Sequence, residues 1–147
     1  MFFLKLFYLY IKGKDPIYEL FLRGKKVLDV GCGRGELMRK NKDLIYGFDI
    51  NENVISDLVS EGYNVKRGDV AAIPYEDDFF DVIHNRNIIE HLNPVQAQKM
   101  FLEMRRVLKK DGVIILISPM PKTVWNTFGH IKPYPPAAIK KLFSPQS

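Results

Sequence analysis

The sequence predicts an α/β fold, a doubly wound and mostly parallel sheet of about five strands with helices on both faces. Three observations predict it. Short apolar runs alternate with helical patterns along the chain, the signature of parallel strands joined by crossovers. Val113-Ile114-Ile115-Leu116-Ile117 is apolar without alternation, as a strand covered on both faces must be. Val27-Leu28-Asp29-Val30 runs directly into Gly31-Cys32-Gly33-Arg34-Gly35, a strand-to-glycine-loop step.

The elements follow in order. Asp15-Pro16 signals a helix start, with Asp as N-cap and Pro at the first helical position, and a short helix through about Leu22 is expected. Val27–Val30 is the first strand. A short helix is predicted from Glu36 to about Lys40, a second strand over Ile45–Asp49, and a helix capped by Asn51 through about Ser60. Gly62 breaks that helix and Tyr63–Arg67 forms the third strand. Phe79–His84 is the fourth. Asn93-Pro94 starts a long helix with Ala97, Met100, Phe101, Met104, Val107 and Leu108 on one face. Asp111-Gly112 is expected to turn the chain into a fifth strand, Val113–Ser118. Six of the nine prolines fall between Pro119 and Pro145, so irregular backbone is expected there, with one helix from about Pro136 to Phe143.

Composition bounds the function. The chain has 147 residues, which argues for one domain able to bury roughly 70% of its unfolded surface. Its 22 basic and 17 acidic residues give a net charge of +5, but the basic residues are scattered in pairs, so nucleic acid is not indicated as a partner. A single cysteine, Cys32, excludes an internal disulfide and a cysteine-based metal site, and fits a reducing, cytoplasmic setting. Met1–Ile11 is apolar and aromatic, too short to span a bilayer and without the flanks of a signal peptide. It is expected to pack on the domain, with a peripheral contact to a membrane or partner as the alternative.

The glycine loop carries the chemistry. Glycines let backbone approach a ligand, and a following helix start offers N–H groups and a positive dipole end. A dinucleotide fingerprint needs G-x-G-x-x-G, and here its last position is Glu36. A negative side chain suits a zwitterionic amino-acid tail better than a pyrophosphate. Asp49 stands 18 residues past Gly31, near the spacing of a ribose-binding acid. Asp29 lies in a buried strand, where an acid needs a partner.

Val27–Leu37, Tyr46–Ile50, Arg67–Val70, Asp81–Leu92 and Leu108–Gly112 together resemble, in register, the motifs of class I (Rossmann-like) S-adenosylmethionine (AdoMet) dependent methyltransferases of the small-molecule type, similar to the methyltransferase domain 11 group. The resemblance spans Lys25 to Pro119. It implies AdoMet as cofactor and a small-molecule acceptor methylated on O, N or C. It also implies cofactor-binding roles for Asp29, Gly31, Cys32, Gly33, Gly35, Asp49, Ile50, Asp69, Val70 and Asn85, with Asp49 on the ribose and Asp69 on the adenine amine. Residues 1–24 are then an N-terminal helical cap, 25–119 the cofactor core and 120–147 a Pro-rich lid.

The histidines His84, His91 and His130 are the candidate bases, although methyl transfer from a sulfonium depends more on in-line positioning. Glu90-His91 resembles a pair that shapes the pocket floor in this family, and Gly129–Tyr134 resembles the segment that covers the acceptor. One Glu and one His are too few ligands to predict a metal site. The N/D-P-P-Y/F motif of amino-methylating nucleic-acid enzymes is absent after the fourth strand, where the residues are His84-Asn85-Arg86-Asn87. The family's sheet has seven strands and only five are legible here. The fifth strand is therefore expected to present an open edge to a second copy or a partner, and a non-catalytic AdoMet-fold subunit or remnant is the rival reading.

Overall fold

The computed structural model describes residues 18–119 and 124–143. The expectations for Met1–Ile11 and Asp15-Pro16 lie outside the described residues. Tyr18–Leu22 forms a single π-helical turn, and Leu22 is buried. Five strands, β1 (Val27–Val30), β2 (Ile45–Asp49), β3 (Asn64–Arg67), β4 (Phe80–Arg86) and β5 (Leu108–Ile117), form one all-parallel sheet in the order β3-β2-β1-β4-β5. The helices are α1 (Glu52–Ser60), α2 (Pro94–Val107) and α3 (Pro136–Phe143). No described helix is long and apolar enough to cross a membrane.

Alternation along the strands sorts the core into two layers. Leu28, Val30, Phe48, Ile83, Ile114 and Leu116 join Met100, Phe101 and Met104 of α2 on one face. Val27, Ile45, Val82 and Ile115 join Leu22, Met38 and Leu58 of α1 on the other. The unbroken apolar run of β5 thus feeds both layers in turn.

The caps are those the sequence signals. Asn51 accepts from the N–H groups of Asn53 and Val54 at the start of α1. Asn93 and Gln96 form a reciprocal capping box at α2, with Pro94 just inside.

Three boundaries differ from expectation. The predicted helix over Glu36–Lys40 is a series of turns ending in a 3-10 helix at Met38–Lys40. Asn41 causes the early exit, because its Oδ1 accepts from the N–H groups of Asp43 and Leu44 and turns the chain toward β2. β4 runs on through Arg86, so Asn85 is a strand residue. β5 begins at Leu108 rather than beyond Asp111-Gly112. Leu108 pairs with Phe80, the register jumps to Val82 opposite Val113, and the intervening residues form a bulge. Lys109 closes it with a 2.7 Å ion pair to Asp81, whose other oxygen accepts from the Lys26 N–H at 2.8 Å. Burial pushes the Asp81 carboxyl up, but these contacts outweigh it and hold the pKa below the usual carboxylate value.

Arg106 of α2 fastens the long β3–β4 connection. Its guanidinium donates to the carbonyls of Ile73 (2.8 Å) and Tyr75 (2.9 Å) and to the carboxylates of Asp77 and Glu103 (2.7 Å each). Glu103 also accepts from the Ile73 N–H at 2.8 Å. The stretch from Ile73 to Asp77 is thereby tied to α2.

Candidate functional site

The carboxyl ends of β1, β2 and β4 meet at the glycine loop, the crevice where ligands bind in open α/β sheets. After Val30 the chain turns through Gly31–Leu37. Gly31 (φ 68°) and Gly33 (φ 48°) adopt the left-handed conformation that favours glycine. A Cβ on Gly31 would collide with Ile88, so Ile88 is packed on the loop. A Cβ on Gly33 would meet nothing within 4 Å, which leaves open space over its backbone.

Asp49, the last residue of β2, latches this loop. Its Oδ2 accepts from the Gly33 N–H at 3.0 Å, and its Oδ1 from the Asn51 N–H at 2.9 Å. Each carboxylate oxygen keeps a further lone pair. Cys32 adds a main-chain bond, its N–H donating to the Phe48 carbonyl at 3.0 Å, and its side chain packs where Gly47 leaves room.

Asp29 has the partner its burial requires. Asp29 and His84 are directly opposed in the β1–β4 register, and Asp29 Oδ1 lies 2.8 Å from His84 Nδ1 in a buried pair. The pair borders a cleft of about 520 Å³ lined also by Gly31, Cys32, Gly33, Arg34, Glu36, Arg86 and Asn87. That volume falls in the range of about 300–1,000 Å³ typical of small-molecule sites.

The remaining predicted residues sit elsewhere. Gly35 is buried beneath the loop, where a Cβ would stand 2.7 Å from Leu58. Ile50, 65% exposed, and Asp69, exposed, follow β2 and β3, with Asp69 Oδ1 accepting from the Ala71 N–H at 2.7 Å. Val70 packs partly on the α2-side core. The Asn85 side chain faces the opposite layer from Asp29, fully buried with Nδ2 3.9 Å from Met100 Sδ. Strand parity explains this placement: Val82, His84 and Arg86 share the cleft face, whereas Ile83 and Asn85 face α2.

His91 and His130, far apart in sequence, come together with rings 4.8 Å apart. Arg86 and Asn87, which line the cleft, were not among the residues the sequence singled out for the site. Arg86 was legible by parity with His84. Asn87 holds a left-handed φ of 55° at the end of β4, a role its side chain tolerates.

Burial raises the Cys32 thiol, the nearby carboxylates of Asp29 and Asp49 add to it, and the pKa is pushed up to about 12. The thiolate is the reactive form, so Cys32 is expected to resist iodoacetamide at pH 8 in the folded chain and to react promptly in denaturant, as read by intact mass. Prompt labelling of the folded chain would contradict this placement.

These features fit AdoMet. Open space over Gly33 admits a ligand at the backbone, and Asp49 retains acceptor capacity for vicinal hydroxyls. The fold and the loop together define a class, the Rossmann-like AdoMet-dependent methyltransferases. The chain belongs to the methyltransferase-domain family, whose model matches residues 28–116. An AdoMet-dependent methyltransferase of Archaeoglobus fulgidus aligns with a TM-score of 0.73 at 27% identity, over 86% of this chain and 62% of that one. Phosphoethanolamine N-methyltransferase 3 of Arabidopsis thaliana is 33% identical over 103 residues, 63% of this chain and 21% of the relative. A rice (Oryza sativa subsp. japonica) 2-methyl-6-phytyl-1,4-hydroquinone methyltransferase is 32% identical over 120 residues, 73% of this chain and 34% of the relative. The chain spans less than half the length of the curated relatives it matches.

Proposed function

We propose that this chain binds AdoMet across the carboxyl ends of β1, β2 and β3 and directs its methyl group to an O, N or C atom of a small-molecule acceptor. The observation that carries the reading is the Asp49 latch, a carboxylate fixed against the Gly33 N–H with acceptor capacity to spare. When bound, AdoMet supplies an electrophilic methyl on a sulfonium. Asp49 holds the ribose hydroxyls and Asp69 accepts from the adenine amine. Gly31 and Gly33 admit the cofactor to the loop, and Asp29, held by His84, orients its amino-acid end.

In this reading residues 25–119 are the cofactor core, 1–24 a helical cap, and 120–147 a lid. The described part of the lid is pinned to the core by the Ile131 N–H, which donates to the Glu90 carbonyl at 2.7 Å, and by the Tyr134 hydroxyl, which donates to the Leu92 carbonyl at 2.8 Å. The acceptor class stays broad, since relatives are named for methylating phosphoethanolamine nitrogen and a phytyl hydroquinone. A single cysteine, buried in the folded chain, suits a cytoplasmic setting.

The test is methyl transfer from AdoMet carrying a deuterated methyl group, with small-molecule extracts as acceptor pool. Label is expected in a small product, in step with S-adenosylhomocysteine formation. Saturable cofactor binding with no transferred label from any pool would favour the non-catalytic subunit.

A further inference from the structure

We propose that Glu90, His91 and His130 form a binding site for a divalent transition-metal ion of the Zn²⁺ type. This goes beyond the cofactor site and does not depend on it. Glu90 and His91 follow β4, and His130 comes from the segment after β5. One donor atom of each lies within 4.8 Å of the other two.

Two further observations point to a cation. Glu90 is 0% exposed, and its Oε1 has no hydrogen-bond partner among the described residues, while Oε2 accepts from the Ser118 hydroxyl at 3.4 Å. A buried carboxyl oxygen left unpaired is costly, and a cation at that oxygen would remove the cost. Both histidines have backbone carbonyls at one ring nitrogen. His91 Nδ1 lies 3.2 Å from the Gly129 carbonyl and His130 Nδ1 2.6 Å from the Val124 carbonyl. A carbonyl only accepts, so each Nδ1 carries the hydrogen, and in the neutral ring Nε2 keeps its lone pair. Backbone carbonyls holding the second nitrogen are the usual support of metal-bound imidazoles.

Two imidazoles and a carboxylate suit a borderline ion such as Zn²⁺ better than Mg²⁺ or Ca²⁺. Bonds of about 2.0–2.1 Å place tetrahedral donors roughly 3.3 Å apart, so binding draws the three donors together by at most about 1.5 Å. Three protein ligands leave a fourth position open. The main-chain bonds from Ile131 (2.7 Å) and Lys132 (3.4 Å) to the Glu90 carbonyl already hold the His130 segment against Glu90.

The experiment is calorimetric titration of the chelator-stripped chain with Zn²⁺, repeated on Glu90→Gln, His91→Ala and His130→Ala. Thermal unfolding without metal serves as the fold control. One equivalent of Zn²⁺ is expected, with affinity weakened about tenfold or more in each folded variant. Absorption of the Co²⁺-loaded chain should show the bands of a four-coordinate ion. Glu90→Gln keeps the side-chain volume and His130 lies in a half-exposed segment, so at least one variant will test the site in a folded chain. Absence of saturable Zn²⁺ uptake would overturn the proposal. So would uptake that persists within twofold in folded Glu90→Gln, which would reduce the site to a surface histidine pair.

Discussion

Asp49→Ala is expected to weaken S-adenosylhomocysteine binding by about tenfold to more than a hundredfold. The carboxylate does two things at once. It accepts from the Gly33 N–H at 3.0 Å, which sets the loop, and it offers its remaining lone pairs to a ribose. A hydrogen bond to a charged group is worth about 1.5–3 kcal/mol, and each 1.4 kcal/mol is about tenfold in affinity. Asp49→Asn leaves one acceptor oxygen where the carboxylate has two, so it can satisfy either the Gly33 N–H or the Asn51 N–H but not both. An intermediate loss is expected there. Calorimetry on variants with native circular dichroism checks this, and an affinity within twofold of wild type in Asp49→Ala would remove Asp49 from the site.

Arg106→Ala is expected to cost about 2–4 kcal/mol of stability at neutral pH, in the upper part of the range for single substitutions. The guanidinium bridges two carbonyls and two carboxylates, and its loss strands the Ile73 carbonyl and Glu103 between α2 and the β3–β4 connection. Arg106→Lys should recover only part, because a point charge cannot reproduce the planar fork.

The pH dependence follows from Glu103. The hydrogen bond from Arg106 lowers its pKa, burial opposes this, and the Ile73 N–H assists, so the folded value lies below the ordinary 4.5. A depressed carboxyl contributes stability that is full above its unfolded pKa and is lost as pH falls through the folded value. The difference between wild type and Arg106→Ala should therefore be full at pH 7 and shrink below about pH 4.5. Chemical denaturation at both pH values measures it. A difference that does not change with pH would mean that Glu103 is not the partner that matters.

The strand-and-loop order was legible because each element carries its own local signal. The apolar run of β5, the caps Asn51 and Asn93, and the strand-to-glycine step at Val30 need no distant partner to be read. Face assignment was partly legible. Counting by twos along β4 separates His84 from Asn85, and that count places Asn85 against Met100 and away from the cleft. What the sequence withheld depends on register between distant strands. Asp29 demanded a partner, but only the β1–β4 pairing identifies it as His84. The bulge at Lys109–Gly112 hides the start of β5 behind an ordinary turn signal. Glu90-His91 resembles a pocket-floor pair in the sequence, but only the folded chain brings the His130 segment against it.

Whether the glycine loop and Asp49 hold AdoMet is decided by calorimetric titration of the wild-type chain. Saturable binding of one equivalent of AdoMet and of S-adenosylhomocysteine is expected, and no saturable binding of NADH, which Glu36 at the last fingerprint position opposes. Binding of NADH without binding of AdoMet would contradict it.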